Sequence, residues 1–316
     1  MPTVTFEGRS YPTEPGETVL TALLRQGGAI PHSCRSGVCR SCLVRATQGT
    51  PPASSQKALK DTLRAQGYFL SCIAQPESEL TVALPSDGVI GHTRAQLLAR
   101  EQLAPDIFRL RLQAEEAFPF MAGQFITIRR PDGLRRSYSL AAPPTSDGTI
   151  ELHVRRLPQG QLSGWLCEAL ELGAWVDLFG PEGSCFYLPD DPTRPLLLIG
   201  TGTGLAPLLG IVRDALAQGH TGPIQLFHGS RHPDGLYLQG ELAALTVTHP
   251  NLTYTLCTSA TGPRADVAAF GAIPDTSGWR VYLCGNPEMV KGAQRKAFLL
   301  GASLAEIYTD PFVRAG

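Results

Sequence analysis

The 316-residue chain reads as multidomain, with a small β-rich module over residues 1–90, an antiparallel β-barrel over 91–191 and a doubly wound α/β domain over 192–316. Three observations predict this. The length calls for two or three domains. Short strand signals punctuated by turns fill the first part of the chain. Beyond it, buried-strand runs alternate with helical segments, as parallel sheets require.

In the first module, Val4-Thr5-Phe6 and Arg9-Ser10-Tyr11-Pro12 flank Glu7-Gly8 as a hairpin. Thr18 caps a helix over Val19, Leu20, Leu23 and Leu24 that Gly27-Gly28 ends. Leu80 to Leu84 alternates as a closing strand, and Pro85-Ser86-Asp87-Gly88 breaks the chain. Between these elements Cys34, Cys39, Cys42 and Cys72 follow the spacing C-x4-C-x2-C…C. Four thiolates so spaced suit the two irons of a plant-type 2Fe–2S cluster. The first three lie in a loop from Pro31 to Cys42, where Gly37 lets the backbone wrap closely and Ser and backbone N–H groups can donate to sulfur. Cys72 follows the apolar approach Tyr68-Phe69-Leu70-Ser71, which can seal the site from water. The alternatives are a zinc site or buried free thiols. Zinc sites usually show two tight cysteine pairs, whereas the fourth ligand here stands alone.

In the second segment, Ile107 to Leu112 alternates strictly, and Gln124 to Ile128 is joined to Arg136-Ser137-Tyr138-Ser139-Leu140 by the turn Pro131-Asp132-Gly133. Ile150 to Val154 makes another strand, and Gly160 to Leu172 reads as a helix burying Leu162, Trp165, Leu166 and Leu170. Arg136 and Tyr138 share one face by strand alternation. With Ser139 they could hold a flavin, or form an exposed strand with a charged face. Arg129, Arg130, Arg135, Arg155 and Arg156 read as solvated surface.

In the third segment the strand runs are Leu196 to Ile199, Ile224 to Phe227, Thr253 to Leu256 and Val281 to Leu283. A helix from Leu205 to Ala217 carries Leu205, Leu208, Leu209, Val212 and Leu216 on one face. Gly200-Thr201-Gly202-Thr203-Gly204-Leu205-Ala206-Pro207 leaves a buried strand and opens that helix. Glycines let a pyrophosphate approach the backbone, and a helix N-terminus offers unpaired N–H groups. Leu205 stands where the third Gly of the dinucleotide fingerprint belongs. A tight strand-to-helix turn is the alternative. In Cys284-Gly285-Asn286-Pro287, Asn286 can cap a helix, which puts Cys284 at the ligand-binding end of its strand.

A net charge of −1 and the lack of a basic run argue against nucleic acid. Nothing at the N-terminus resembles an export signal, and no apolar run approaches the ~20 residues that span a bilayer. The expectation is a cytoplasmic chain with reduced thiols and no membrane partner.

These motifs, taken in order along the whole chain, resemble the iron–sulfur flavoprotein reductases of bacterial oxygenase systems, in the ferredoxin–NADP⁺ reductase superfamily. The resemblance is strongest to reductase components of naphthalene-type ring-hydroxylating dioxygenases. It implies a β-grasp ferredoxin domain, an antiparallel β-barrel flavin domain and an α/β doubly wound nicotinamide domain. It assigns Arg136, Tyr138 and Ser139 to the flavin, with Gly160, Gln161, Leu162 and Ser163 at its pyrophosphate. Gly202, Thr203, Gly204, Ala206 and Pro207 then fall at the nicotinamide-nucleotide pyrophosphate, and Cys284-Gly285 at the nicotinamide. Phe312, in the tail Ile307 to Phe312, would lie near the flavin ring. Ser139, Cys284 and Phe312 form the implied catalytic set.

The implied path runs from NADH or NADPH through FAD and the 2Fe–2S cluster to a terminal oxygenase or an intermediate ferredoxin, with the reductase a monomer. FAD is favoured over FMN because the Gly160–Ser163 helix start offers a second phosphate site. Arg231, at the end of a strand where the adenosine ribose would lie, could accept a 2′-phosphate, whereas the resemblance favours NADH. A reductase for a deoxysugar dehydratase and a non-enzymatic redox sensor are the rival functions. Arg40 departs from the family, which usually has Gly there. A cation so close to the cluster favours its reduced form, so the expected potential lies above the roughly −400 mV of plant-type ferredoxins.

Overall fold

The computed structural model describes residues 1–85 and 91–313, so most of the break placed at Pro85-Ser86-Asp87-Gly88 lies outside the described residues. The chain divides into two compact units, Met1–Ile90 and Gly91–Gly316.

The first unit is one mixed sheet holding a helix. Strands β1 (Thr3–Phe6) and β2 (Arg9–Pro12) form the expected hairpin. Its turn residues, Glu7 and Gly8, both have positive φ (50° and 73°), the geometry that matches strand twist. Helix α1 (Val19–Arg25) starts at Thr18, whose hydroxyl accepts from the Thr21 N–H, and it buries Val19, Leu20 and Leu23. Strands β3 (Leu43–Gln48), β4 (Tyr68–Leu70) and β5 (Leu80–Ala83) complete the order β2-β1-β5-β3-β4, with the short helix α2 (Asp61–Ala65) between β3 and β4. β1 and β5 run parallel at the centre, which is the β-grasp arrangement.

The second unit opens with six antiparallel strands: β6 (Gly91–Ala104), β7 (Ile107–Ala114), β8 (Phe125–Arg129), β9 (Arg135–Ser139), β10 (Thr149–Arg155) and β11 (Trp175–Glu182). Their order is β10-β7-β6-β11-β8-β9, and a bridge between Leu140 and Leu152 brings the two ends together into a barrel. Leu97, Leu110, Leu112, Ile126, Ile128, Leu152 and Leu178 fill it. The helix expected from Gly160 to Leu172 is shorter, an α-turn α3 (Gln161–Gly164) running into a π-turn over Trp165–Ala169. Leu162 and Leu166 of these turns are buried against the barrel core, and Trp165 is only half-buried.

The remaining five strands are all parallel: β12 (Leu196–Thr201), β13 (Ile224–Ser230), β14 (Leu252–Thr258), β15 (Arg280–Gly285) and β16 (Ile307–Pro311), in the order β14-β13-β12-β15-β16. Helices α4 (Leu205–Ala217), α5 (Gln239–Thr248), α6 (Ala265–Ala272) and α7 (Pro287–Leu299) cover the two faces. Strand order reverses between β12 and β15, so a ligand crevice is expected at their carboxyl ends. The α4 reading needs correction, because every residue from Leu205 to Val212 is buried, not one face alone. The reason is that α4 lies between sheet and barrel. A Cβ on Gly210 would stand 2.8 Å from the Leu140 carbonyl of the barrel.

Charged side chains are buried where barrel and α/β domain meet. Arg213 of α4 donates to Glu151 of β10 at 2.9 Å and to Glu241 of α5 at 2.8 Å. Arg109 of β7, only 6% exposed, pairs with Glu101, Glu151 and Glu241. Burial alone would raise the Glu151 pKa, but hydrogen bonding from His153 and the Arg213 charge hold it down at about 2. Removing one member of such a cluster strands buried charge. Glu151→Ala should therefore cost about 3–5 kcal/mol, read as a lowered urea midpoint by fluorescence of Trp165 and Trp175. A loss under 1 kcal/mol would show that the cluster does not hold the two domains together.

Candidate functional site

The four cysteine thiols lie in the first unit as two neighbouring pairs. Cys34 and Cys39 are exposed; Cys42 and Cys72 are buried. The Cys39 and Ser36 N–H groups donate to Cys34 Sγ at 3.3 and 3.5 Å, and the Cys34 N–H donates to Cys39 Sγ at 3.4 Å. Donation from Ser36, and then from Cys39, draws the Cys34 pKa down to about 5, while burial and the neighbouring Cys42 push Cys72 up to about 11. The Gly37 N–H faces Cys72 and joins the pairs. Gly37 has φ +80°, and a Cβ there would stand 2.8 Å from Ile73 Cδ1, so any other residue would be strained in backbone and would push Ile73 aside. Among the described residues no three His, Cys, Asp or Glu side chains gather at single-ion spacing. Two thiol pairs with amides aimed at sulfur are instead a donor set that fits a two-iron cluster.

Arg40 has φ +61° and Arg35 φ +55°. The left-handed region costs a residue with a Cβ about 1 kcal/mol or more, which explains why glycine is the common choice at position 40. Arg40 Nη2 donates to the Ala58 carbonyl at 2.7 Å, so its charge is tied beside the loop.

In the second unit a cleft of about 2190 Å³ opens at the β12–β15 reversal and runs along β9. Arg136, Tyr138, Ser139, Gly160, Gln161, Leu162 and Ser163 border it on the barrel side, and Gly202, Thr203, Ala206, Arg231, Gly285 and Phe312 on the other. β9 is the last strand of its sheet, so all of Arg135 to Ser139 border the cleft. Arg136 pairs with no carboxylate among the described residues and stays free for an anion. At Gly160 a Cβ would lie 2.3 Å from Ser163 Oγ, so the bend into α3 requires glycine. A cation, a ring and a tight glycine turn along one wall fit a flavin with a diphosphate tail.

Three expected residues are not on the cleft surface. Gly204 packs its Cα against β15, where a Cβ would meet the Cys284 carbonyl at 2.5 Å. Strand packing alone already requires glycine there. Pro207 is buried within the first turn of α4. The Cys284 thiol is fully buried against Cys185, with Sγ atoms 3.8 Å apart, and its backbone alone supports the neighbouring Gly285. Asn286 caps α7 as expected, its Oδ1 accepting from the Glu288 and Met289 N–H groups. The Asn286 N–H in turn donates to Thr201 Oγ1 at 3.0 Å, which gives that threonine a role a glycine could not fill.

The structure adds residues that the sequence reading missed. Ser139 Oγ donates to Asp310 Oδ2 at 2.9 Å, joining the end of β9 to the last strand, β16. Burial raises the Asp310 pKa to about 6, against the lowering effect of Ser139. The Phe312 N–H donates to the Gly285 carbonyl at 2.8 Å, fixing the tail across the cleft mouth. Arg155 is partly covered and not open surface, whereas Arg135 is exposed as expected. Arg155 pairs with Asp106 and lays its guanidinium against Gly202, whose Cβ would stand 3.0 Å from Nη1. Arg135 borders the cleft and stacks on Phe179. At the far end, Asp234, Arg264 and Asp266 join Arg231; Arg264 is held by Asp266 through two 3.0 Å contacts. Arg155, Arg264 and Asp266 lie outside the motifs in sequence, and only the fold brings them in.

Three family models match in series: a 2Fe-2S iron-sulfur cluster binding domain over residues 3–77, an oxidoreductase FAD-binding domain over 94–187 and an oxidoreductase NAD-binding domain over 198–295. The reductase component of the naphthalene 1,2-dioxygenase system of Pseudomonas putida is 35% identical, covering 98% of this chain and 97% of its own length. The reductase subunit of an aromatic O-demethylase from an Amycolatopsis species is 38% identical over 93% of each. The crystal structure of an Amycolatopsis cytochrome P450 reductase superposes with a TM-score of 0.68 at 33% identity, covering 99% of both chains.

Asp310 also sets a pH dependence. Its folded pKa lies above the unfolded value, so the folded chain binds the extra proton between about pH 4 and 6 and loses stability as pH rises through that window. Asp310→Asn removes the effect, so thermal scans of the cofactor-free protein should place the variant above wild type at pH 7 and level with it near pH 4. Parallel pH profiles would contradict the assignment.

Proposed function

The chain belongs to the iron–sulfur flavoprotein reductases of the ferredoxin–NADP⁺ reductase superfamily, and from that membership we propose that it feeds electrons to a terminal oxygenase acting on an aromatic compound. It is an NAD(P)H oxidoreductase whose path runs from nicotinamide through FAD and a 2Fe–2S cluster. When bound, the nicotinamide supplies a hydride, the flavin splits the pair and the cluster carries one electron at a time. The observation that carries the reading is the convergence of β9, the Gly202–Thr203 turn and the tail of β16 on one cleft at the sheet's switch point.

The chain's own residues have separable tasks in this reading. Arg136 and the Gly160–Ser163 turn would hold the flavin diphosphate, and Tyr138 would face its ring. Gly202 and Thr203 present backbone to the nicotinamide diphosphate, with Arg155 supplying the cation. Asp310 accepts the Ser139 hydroxyl at Oδ2 and so fixes that side chain at the barrel edge of the cleft. Phe312, fixed at the cleft mouth, would lie against the flavin ring. Cys284 acts through its backbone, holding Gly204 and Gly285 at contact distance. No helix among the described residues is long and apolar enough to cross a membrane. We read the protein as a cytoplasmic monomer divided at 1–90, 91–191 and 192–316, and its acceptor as either the oxygenase itself or an intermediate ferredoxin.

Anaerobic titration of the holoprotein with NADH should bleach flavin and cluster bands together. Arg155→Ala should raise KM for NADH about tenfold or more, the value of a charge-assisted contact to phosphate, while leaving kcat within about twofold. Unchanged KM would remove Arg155 from the nucleotide site. The family favours NADH, and the pairing of Arg264 with Asp266 leaves Arg231 as the cation open to a 2′-phosphate. Wild type should therefore show the higher kcat/KM with NADH, and Arg231→Ala should lower the NADPH value alone. Equal losses with both cofactors would refute that role.

A further inference from the structure

The exposed face of the cluster loop carries one sign of charge. Between Glu17 and Asp61 the chain has no carboxylate side chain and six cations: Arg25, Arg35, Arg40, Arg45, Lys57 and Lys60. Arg25 is taken up by Glu14 and Glu17, and Arg45 turns to the Gln66 carbonyl and Tyr68. Arg35, Arg40 and Lys57 are exposed and belong to the neighbourhood of the cluster loop. The Arg35 guanidinium donates to His32 Nε2 at 3.0 Å, and His32 Nδ1 faces the Ile30 carbonyl at 2.9 Å, so Arg35 is braced by the loop and no carboxylate among the described residues neutralises it. The bond from Arg40 to the Ala58 carbonyl brings Lys57, one residue away, to the same side.

Among the described residues, the acidic side chains of this unit are elsewhere or already paired. Asp61 is bound to Arg64. Glu77 and Glu79 precede β5, and the register Gln48↔Thr81 places that end of the sheet at the far end of β3 from Cys42. Glu7 lies in the β1–β2 turn, beyond β5 and β1 from the strand that follows the loop. In the middle of the cationic face Val38 is 77% exposed, between the two exposed ligand-type cysteines Cys34 and Cys39. A bare valine among cations, beside the outward thiols, is built like the centre of a transient interface with a polar rim.

Resting on the proposed reductase reading, we infer that this face is the electron exit and that it docks a protein acceptor whose redox centre is ringed by carboxylates around an apolar contact. One electron crosses per encounter, no bond forms or breaks, and two encounters discharge the pair from one nicotinamide. Steering by opposite charge raises association rates and weakens with salt.

The test uses the holoprotein and two probe acceptors of opposite charge, the acidic cytochrome b5 and the basic cytochrome c. Delivery to cytochrome b5 should slow as salt is raised, and delivery to cytochrome c should not. Sensor-surface binding of cytochrome b5, which needs no turnover, should follow the same salt trend. Arg35→Glu with Lys57→Glu should weaken cytochrome b5 binding about tenfold or more and reverse the preference between probes. Lys57→Glu alone, outside the loop, should move both readouts in the same direction, with an unchanged visible spectrum certifying the cluster. Val38→Ser should weaken binding without altering the salt slope. Equal salt slopes for the two probes would overturn the inference. So would slower bleaching by NADH in the double variant without any acceptor, which would mean that the face serves the chain's own flavin. Absence of bleaching in wild type would instead defeat the reductase reading itself.

Discussion

The buried carboxylate of Glu151 is the constraint on which the catalytic unit depends. It sits on the barrel strand β10 and receives Arg213 from α4 and His153 from its own strand, with Arg109 at 3.7 Å. Its charge is therefore stable only while barrel and α/β domain remain together, because either half alone would expose or strand an ion. His153 extends the cluster to the Tyr237 hydroxyl at 3.1 Å, and Tyr237 packs edge-on against His228. His228 Nε2 lies 3.0 Å from the Gly202 carbonyl, inside the nucleotide turn. A continuous line of buried contacts, two hydrogen bonds with an edge-on ring pair between them, thus runs from the ion cluster to the cleft floor. Burial holds His228 well below the ordinary histidine range, at about 4, so this support keeps its charge state across neutral pH.

A second buried cation, Arg280, ties the start of β15 to Asp190 and Glu306 at 1% exposure. It anchors the two strands β15 and β16 that carry Gly285 and Phe312 into the cleft. The strands that carry the site are thus held from behind by ions, which suits a reaction that requires two rings to meet face to face.

The parts legible in the sequence were those whose chemistry is contiguous. The first three cysteines, the Arg136–Ser139 strand and the glycine turn after β12 each announce themselves within a dozen residues. The switch from period-two strands to buried runs announced the α/β domain. What escaped was set by partners far along the chain. Arg109 sits at a solvent-like position of a strictly alternating strand, yet the α/β domain covers that face. β6 was missed because bulges at Leu97/Ala99 and Gln102/Ala104 break its alternation. Arg155 looked like surface because nothing local says that Gly202 lies under it. Gly204 and Cys284 were given ligand-facing roles, although their spacing reflects the contact of one strand with the next turn.

The left-handed backbone at Arg40 has a consequence for engineering. The residues that adopt φ near +60° at least cost are Gly, Asn and Asp, and their side chains are neutral, neutral and anionic where the native one is cationic. One backbone shape at position 40 therefore accommodates three electrostatic settings beside Cys39, with no rebuilding of the loop. A designer matching this reductase to a foreign acceptor has a single-residue control for the driving force, independent of the nicotinamide cleft.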